Sequence, residues 1–470
     1  MQLGSTATFC ETFDNKNPGI PGRTGDLDPN VWGVSRAMGS GVNLGQGMYG
    51  TWAASTQLQT CGGTTTVSSP SDIMICNGQL HEASNDNPSG VFDAGDVTVL
   101  AMYPKQPFDF AGRTGTASFD VSNDSHGTHS AWPEFWMTDL PVPAPLEHLG
   151  SWTALPQHGF GVRFGAQVGP GQWGLCPNGN NLNSSRWTVD SGIVVRNYVM
   201  EDVDYQGVDY GTASNPSLKL NILDCVTAPP DGSGIMNHIE VRVSQNEIDI
   251  YATDAGVAAS PTTLRKIASL TNANLSFTRG LVWLEDVHYN ADKGTAPSQR
   301  MHTFIWDNLA FDGTFTYRDF SYDALDSNQT IGNYPYLVNL GKFSAANQTA
   351  SWNVLNIPAN PQPSAVRVLF NFSSEANPVP SVLNVVVNGH AHSTPWPYPD
   401  TSSSAWRTFA VTIPVTDLVS GTNVVQLGSN QPMVSSNVNI VLVDVPGGVP
   451  VLPGSNNVYP AGGATLASSP

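Results

Sequence analysis

Short stretches of alternating or β-branched and aromatic residues recur along the whole chain, each bounded by Gly, Pro, Asn or Asp. Alternation with a period of two predicts a strand with one buried face, and the bounding residues predict turns. Long amphipathic helical patterns do not occur in the sequence. The pattern therefore predicts an all-β protein of the sandwich or jelly-roll kind. Examples of the predicted strands are Thr116–Val121, Gly159–Phe164, His238–Val243, Glu247–Ala252, Gly280–Val287 and His302–Phe311.

A polar stretch divides the predicted strands into two series. It covers residues 318–330, and a second set of strands begins after it. We therefore predict a larger β-sandwich domain over residues 1–320 and a smaller β-sandwich over residues 321–446. The remaining residues, 447–470, are rich in Pro, Gly and Ser, which is typical of a linker or spacer tail.

The charge balance narrows the class of ligand. The chain has 38 acidic residues against 19 Lys and Arg, a net charge of −19. Such a surface repels nucleic acid backbones and anionic lipid, so a neutral ligand or a cation such as calcium fits better. Acidity that serves solubility alone is the alternative interpretation.

Targeting and membrane signals are absent from the sequence. No apolar run approaches the length of a membrane span, so we expect no membrane insertion. The first residues, Met1–Ser5, have neither a basic segment nor an apolar core. We expect an extracellular protein from which a signal peptide has been removed.

Five cysteines are present, and none forms a CxxC pair that would suggest a thiolate zinc site. Two disulfides at most can form, which leaves one thiol over. The candidate pairs are Cys176 with Cys225, both in loop-like segments, and Cys61 with Cys76. Because sequence does not determine connectivity, other pairings stay open.

Seven segments occur in an informative order, namely Glu11–Asn15, Leu27–Trp32, Gly78–His81, Gly115–Asp120, Ser130–Met137, Asn237–Tyr251 and Trp306–Phe311. In that order they resemble the concanavalin A-like jelly-roll superfamily, and within it the laminarinase and lichenase type of glycoside hydrolase. The resemblance spans roughly residues 8–315. It implies a ligand site on the concave face of the sandwich and a polysaccharide or oligosaccharide as the partner. The second domain resembles the jelly-roll ancillary and carbohydrate-binding modules found beside glycan-active enzymes.

One departure from the resembling enzymes matters. They carry an E-x-D-x-(x)-E strand after the strand with W-P-A-F-W, whereas the corresponding stretch here, Gln157–Phe164, has no alternating carboxylates. The catalytic acid and nucleophile of those enzymes therefore have no counterparts at these positions. Three functions stay open: a secreted glycoside hydrolase, which is the leading hypothesis, a non-catalytic glycan-binding or cell-surface structural protein, and a polysaccharide lyase.

Two segments carry candidate chemistry. In the first, a strand would place Trp132, Glu134 and Trp136 on one face. Flat rings stack on the C–H faces of sugars, and a carboxylate between them can bind hydroxyls or move protons. The competing interpretation is a packed Trp pair around a buried, hydrogen-bonded acid.

The second segment is the strand around Trp283 and Glu285. Asp286 and His288 lie two residues apart on its other face, where they could form an oriented base or a structural hydrogen bond. A hydrolase would take its acid and base from these carboxylates, while a lyase needs a base and a charge neutraliser. The catalytic candidates are Glu134, Glu285, Asp286 and His288, and the substrate-binding candidates are Trp132, Trp136, Trp283, Tyr289 and Arg163.

The jelly-roll resemblance also implies a structural calcium. In many such domains an acid near the first strand and an Asp on the closing strand hold one ion on the convex side, and Asp14 and Asp307 match those places. Carboxylate oxygens are the ligands that calcium prefers. Two turn or strand-end aspartates without a metal are the alternative.

Overall fold

The structure is a computed structural model that consists almost entirely of β-strands, as the alternating sequence predicts. Within the described residues no α-helix occurs, and Val415–Asp417 forms a short 3₁₀ helix. In that same part of the chain, no helix has the length and apolar character needed to cross a bilayer. The described residues are 7–15, 26–28, 31–39, 73–85, 97–123, 130–138, 159–166, 186–189, 193–196, 199–202, 220–229, 233–275, 277–289, 301–312, 317–323, 340–343, 346–374, 376, 378–396 and 407–446.

The strands before residue 313 form two antiparallel sheets. The first contains β1 (Ala7–Glu11), β3 (Ile73–Cys76), β4 (Gln79–Asn85), β7 (Gly115–Asn123), β13 (Asn221–Ile222), β15 (Asn237–Val243), β16 (Glu247–Ala252), β17 (Arg265–Thr271) and β19 (Met301–Asp312). The second contains β2 (Trp32–Gly39), β5 (Val97–Pro104), β6 (Phe108–Asp109), β8 (Ser130–Thr138), β9 (Gly159–Ala166), β10 (Arg186–Val189), β11 (Ile193–Arg196), β12 (Val199–Asp202), β14 (Val226–Thr227) and β18 (Arg279–Tyr289).

Strand order in both sheets departs from chain order, as expected for a jelly roll. The first sheet runs β13–β17–β16–β15–β7–β19–β4–β3, with β1 also paired to β19. The second runs β12–β11–β9–β8–β18–β5–β2, with β10 on β9, β14 on β10 and β6 on β18. The predicted all-β sandwich is confirmed.

One apolar core joins these two sheets. Phe119 of β7 stacks on Phe135 of β8, with ring centroids 5.6 Å apart and planes 12° apart, and Trp306 of β19 lies 5.5 Å from Phe119. Burial of each such side chain contributes about 1.5–3 kcal/mol relative to exposure. Since alternate residues of each strand fill this core, the intervening residues point outward on the two opposite sides of the sandwich.

The strands after residue 316 form a second pair of antiparallel sheets. One contains β20 (Tyr317–Asp323), β21 (Leu340–Phe343), β23 (Ala365–Ser374), β27 (Arg407–Ile413) and β29 (Met433–Pro446). The other contains β22 (Thr349–Ile357), β24 (Val382–Val387), β25 (His390–Ala391), β26 (Thr394–Pro395) and β28 (Gly421–Ser429). The predicted division at residue 320 lies within β20, which pairs with β29, while residues 447–470 lie outside the described part of the chain.

The second pair of sheets encloses its own apolar core. Trp352, Phe370 and Val385 are among its buried members. Trp396 packs against this core and meets Phe372 edge to face, with centroids 4.8 Å apart. The Trp396 ring is therefore half-buried against this core.

Candidate functional site

Glu134 on β8 and Glu285 on β18 are direct Cα partners in adjacent antiparallel strands. Directly opposed residues share one face of a sheet, with Cβ atoms about 4.5–5.5 Å apart. Their neighbours Phe135 and Leu284 belong to the main core. Both carboxylates therefore point away from that core, onto the outward face of the second sheet, which we call the carboxylate face.

A row of aromatic rings lies beside these carboxylates. Trp136 and Trp283 are Cα partners, and the ring of Tyr103 lies 4.2 Å from that of Trp283. Glycines occupy the flanking strands at both ends of the row. A Cβ atom at Gly161 would lie 2.6 Å from the Trp136 ring, and one at Gly33 would lie 2.1 Å from Tyr103. The rings lie against the sheet because these two positions have no side chain.

Both glutamates of the carboxylate face are buried. Glu134 is 1% exposed and Glu285 is 0% exposed. The indole Nε1 of Trp136 donates a hydrogen bond of 2.6 Å to Oε2 of Glu134, and Nε1 of Trp283 donates one of 3.1 Å to Oγ1 of Thr138. A buried carboxylate requires such donors, because burial without them is costly. The donor also holds Glu134 in one orientation.

Asp286 lies on the opposite face of β18 from Glu285. It is fully buried, its Cα partner is Pro133, and Leu284 two positions earlier belongs to the main core. Asp286 and Glu134 therefore do not share a face. His288 is a residue of the same strand, and its predicted pairing with Asp286 lies outside the described side chains.

Three further candidates are located by backbone register alone. Arg163 on β9 is the Cα partner of Glu134. Trp132 on β8 is the partner of Val287, and Tyr289 on β18 is the partner of Ser130. The register places Arg163 in the same row as the two glutamates, and the side chains of these three candidates are not among those described.

The outward face of the first sheet, which carries Asp120 and Asp307 and which we call the convex face after the jelly-roll resemblance, brings the two calcium candidates near each other. β1 pairs with β19, with Glu11 opposite Leu309, and the charge of Asp14 acts on Asp307. Burial, which is the largest cause, and the negative charges of Asp120 and Asp14 together raise the pKa of Asp307 to about 7. The backbone N–H of Asn308 donates to Oδ1 of Asp307 at 2.7 Å and acts against that rise.

These aspartates fit a calcium ion only in part. Among the described residues, no group of three or more His, Cys, Asp or Glu has the arrangement of a metal site. Ca²⁺ takes six to eight oxygen ligands, so Asp14 and Asp307 would need backbone carbonyls and water to complete the shell. A cation would, however, relieve the repulsion that raises the pKa of Asp307.

An Asp–His pair that the sequence analysis did not single out lies on the same convex side. Nδ1 of His238 on β15 lies 2.6 Å from Oδ1 of Asp120 on β7, and its Nε2 lies 3.8 Å from Oε1 of Glu240. Burial lowers the pKa of His238, but its interactions with Asp120 and Glu240 outweigh burial and raise the pKa to about 9. The signal in the sequence is an outward His beside Glu240 on a strand whose alternate residues are apolar.

The cysteines are described in part. Cys10 is half-buried, while Cys76 and Cys225 are buried. Cys61 and Cys176 lie outside the described residues. Both disulfide pairings therefore stay predictions.

No protein-family model matches the chain, and no curated protein matches it. Among solved structures, it is similar to a LamA variant from Z. galactanivorans in complex with laminaritriose and laminaritetraose. The two are 11% identical over 66% of this chain and 99% of that one, with a TM-score of 0.36. It is also similar to a prokaryotic β-1,3-1,4-glucanase (lichenase) from a mouse hindgut metagenome, at 11% identity over 65% and 98% of the two chains and a TM-score of 0.33.

A third similar structure is the lectin UEA-II complexed with galactose, at 9% identity over 65% of this chain and 98% of that one, with a TM-score of 0.33. A β-1,3-1,4-glucanase, a protein bound to laminari-oligosaccharides and a lectin thus occur together among the similar structures. At these identities and TM-scores, no activity is inferred for this chain from any of them.

Proposed function

We propose that the protein is a secreted polysaccharide-active enzyme, a glycoside hydrolase, with Glu134 and Glu285 as its two catalytic carboxyl groups. The observation that carries the proposal is their direct cross-strand opposition on one outward face. Retaining glycosidases place their two carboxyl groups about 5–5.5 Å apart, and opposed residues of an antiparallel pair have Cβ atoms at a similar spacing.

The two carboxyl groups would have different roles. One protonates the glycosidic oxygen as its bond to the anomeric carbon breaks, and the other forms the bond to that carbon. Water then hydrolyses the glycosyl-enzyme with the first group acting as base. The Trp136 hydrogen bond holds Oε2 of Glu134 in one orientation, as an attacking carboxyl requires. We therefore assign Glu134 as nucleophile and Glu285 as acid and base.

The neighbouring rings would hold the sugars. Trp136, Trp283 and Tyr103 form one aromatic row on the carboxylate face, and apolar ring faces pack against the C–H faces of pyranoses. Because these rings and both glutamates are buried, the proposal requires the carboxylate face to open before a glycan can bind.

A non-catalytic glycan-binding or cell-surface protein is the second candidate. The same burial favours it, since a closed polar row can serve packing alone. The absence of alternating carboxylates on β9 also favours it. A lyase is the third candidate, in which Arg163, the register partner of Glu134, neutralises charge and His288 acts as base.

A screen across many polysaccharides separates the three candidates. The full chain is incubated with each polysaccharide, and new reducing ends, unsaturated products and binding are measured in parallel. Reducing ends without unsaturation support the hydrolase. Unsaturated products support the lyase, and binding without either product supports the non-catalytic protein.

The calcium proposal is separate from the chemistry. We propose that one calcium, held by Asp14, Asp307 and backbone carbonyls, stabilises the first pair of sheets without taking part in cleavage. What supports it is the pairing of β1 with β19 and the unfavourable negative charge around Asp307.

A further inference from the structure

An open cleft of about 440 Å³ lies on the convex face of the first sheet. Asp120, His238 and Asn308 form its polar base, while Met236, Val257 and Ala258 are among its walls. Asp120 alternates with the core residues Phe119 and Val121. The cleft therefore lies on the opposite outward side of the sandwich from the carboxylate face.

The base of the cleft is a hydrogen-bonded network whose carboxylate can accept further hydrogen bonds. Oδ1 of Asp120 lies 2.6 Å from Nδ1 of His238, and Oδ2 accepts a 2.8 Å hydrogen bond from Nδ2 of Asn308. A carboxylate offers about four lone-pair sites, so each oxygen can accept one more donor. The Asp120 side chain is 22% exposed, which leaves it reachable from the cleft.

A backbone irregularity directs Asn308 into this network. The pairing of β19 with β7 changes register between Asp307 and Ala310, and Asn308 there has a φ of 52°. Asn adopts the left-handed region more readily than other non-glycine residues, and a β-bulge re-aims the side chain that it carries. The bulge turns the amide of Asn308 onto Asp120 rather than leaving it in the regular ladder.

The walls of the cleft are held in place before any ligand binds. The N–H of Gly256 donates to the carbonyl of Met236 at 2.8 Å, which ties the two wall segments together. Asp254, at the start of one wall, accepts hydrogen bonds from Arg265 at 2.8 Å and from the N–H of Thr227 at 2.6 Å. Such pre-organisation reduces the entropy that a ligand must overcome.

The rim of the cleft is apolar and exposed. Val257 in the wall is 40% exposed. Ile235 is 42% exposed and lies beside Gly256, where a Cβ atom would meet its Cγ2 at 3.0 Å. Ligand pockets commonly combine such apolar walls with a few convergent polar groups.

We propose that this cleft binds one neutral sugar ring, as a second glycan site separate from the carboxylate face. Vicinal hydroxyls would donate to Asp120 and exchange hydrogen bonds with the Asn308 amide, while the C–H face of the ring would contact Val257 and the rim. Two carboxylates, Asp120 and Glu240, lie 2.6 Å and 3.8 Å from the single His238 ring, and this excess of negative charge disfavours anionic ligands. The proposal rests on the cleft alone and not on the proposed hydrolase activity.

The test uses the full chain and methyl glycosides of the common neutral hexoses and pentoses, with binding measured by ligand-observed NMR. Two variants address the cleft: Asp120→Asn removes the carboxylate, and Ala258→Phe fills the space from an exposed loop without touching the network. The matched control is Asp249→Asn, an outward carboxylate elsewhere on the same sheet. We expect both cleft variants to weaken binding of the tightest-binding glycoside at least about tenfold. Asp120→Asn does so by removing a hydrogen bond to a charged group, and Ala258→Phe by occupying the cleft. The control should bind like the unaltered chain.

Three results would overturn the proposal. The first is that no glycoside binds, and the second is that Ala258→Phe binds as tightly as the unaltered chain. The third is that Ca²⁺, titrated alone, binds in a manner that Asp120→Asn abolishes while no sugar competes. The hydrolase assay measures reducing-end release and the cleft assay measures glycoside binding by the Asp120 and Ala258 variants, so a failed hydrolase assay and a failed cleft assay are distinguishable.

Discussion

The two outward faces of the first pair of sheets carry polar residues in opposite environments, buried on one face and accessible on the other. On the carboxylate face, Glu134 and Glu285 are 1% and 0% exposed and lie in a row beside buried aromatic rings. On the convex face, the side chains of Asp120 and His238 are 22% and 10% exposed at the base of an open cleft. Both faces follow from the same strand alternation.

This difference shows that the alternation of apolar and polar residues determines only which side chains point away from the core. Whether an outward carboxylate is closed in or open depends on what the chain places over it. Burial makes the surroundings of Glu134 a site where hydrogen bonds and charges are strong. The openness of the convex cleft makes it a site that a ligand can reach without rearrangement.

The largest expected effect is a loss of unfolding free energy in the core that both faces share. Phe119→Ala removes the ring that stacks on Phe135 across the shared core, and truncation of a buried Phe costs about 3–5 kcal/mol. Urea unfolding of the full chain measures it. A loss below about 1 kcal/mol would mean that the two sheets do not depend on this contact.

The next effect belongs to the convex face and depends on pH. His238 has a folded pKa raised from 6.5 to about 9, so the folded state binds its proton more tightly than the unfolded chain does. That stabilisation is complete below about pH 6.5 and is lost as pH rises through 9, on the order of 3 kcal/mol in total. Stability of His238→Gln should decline less over this window. Equal slopes for the variant and the unaltered chain would contradict the network.

The calcium proposal predicts a change in stability of similar size that depends on the calcium concentration. Calcium at a hundredfold excess over its Kd should stabilise the fold by about 2.7 kcal/mol, and a chelator should lower Tm accordingly. Asp307→Asn should reduce the response. An unmoved Tm with chelator, together with no metal by elemental analysis, would leave Asp14 and Asp307 as turn and strand-end residues.

A smaller effect probes the aromatic row. Gly161→Ala places a Cβ atom 2.6 Å from the Trp136 ring, and such overpacking costs about 1–3 kcal/mol. The displaced ring should also lose its hydrogen bond to Glu134, which near-ultraviolet circular dichroism can follow. Gly33→Ala should act likewise through Tyr103, whereas unchanged spectra in both variants would mean that the rings do not need these glycines.

Much of the carboxylate face follows from the sequence. Alternation alone assigns Glu134 with Trp136 and Glu285 with Trp283 to common faces. Their mutual register does not follow, because it depends on how two strands distant in sequence slide past each other. For the same reason the sequence could not show that Asp286 lies on the face opposite Glu134.

Two other features were hidden for physical reasons. The segment that forms β20 is polar and is therefore predicted as a boundary. It becomes a strand by pairing with β29, which is more than a hundred residues away in the sequence. His238 and Asp120 looked like ordinary surface residues of separate strands. Only the pairing of β15 with β7 makes them neighbours, and a bulge at Asn308 has no clear signature in composition.

The proposed hydrolase is tested most directly by matched carboxyl variants on the polysaccharide that the screen identifies. Glu134→Gln and Glu285→Gln should each lower the rate of reducing-end release by roughly 10²–10⁴-fold. Glu82→Gln, which alters a buried glutamate of the other sheet, should leave the rate within about twofold of the unaltered chain once the variant is shown to be folded. If Glu134→Gln and Glu285→Gln retain the rate of the unaltered chain, the two opposed glutamates are not the catalytic pair.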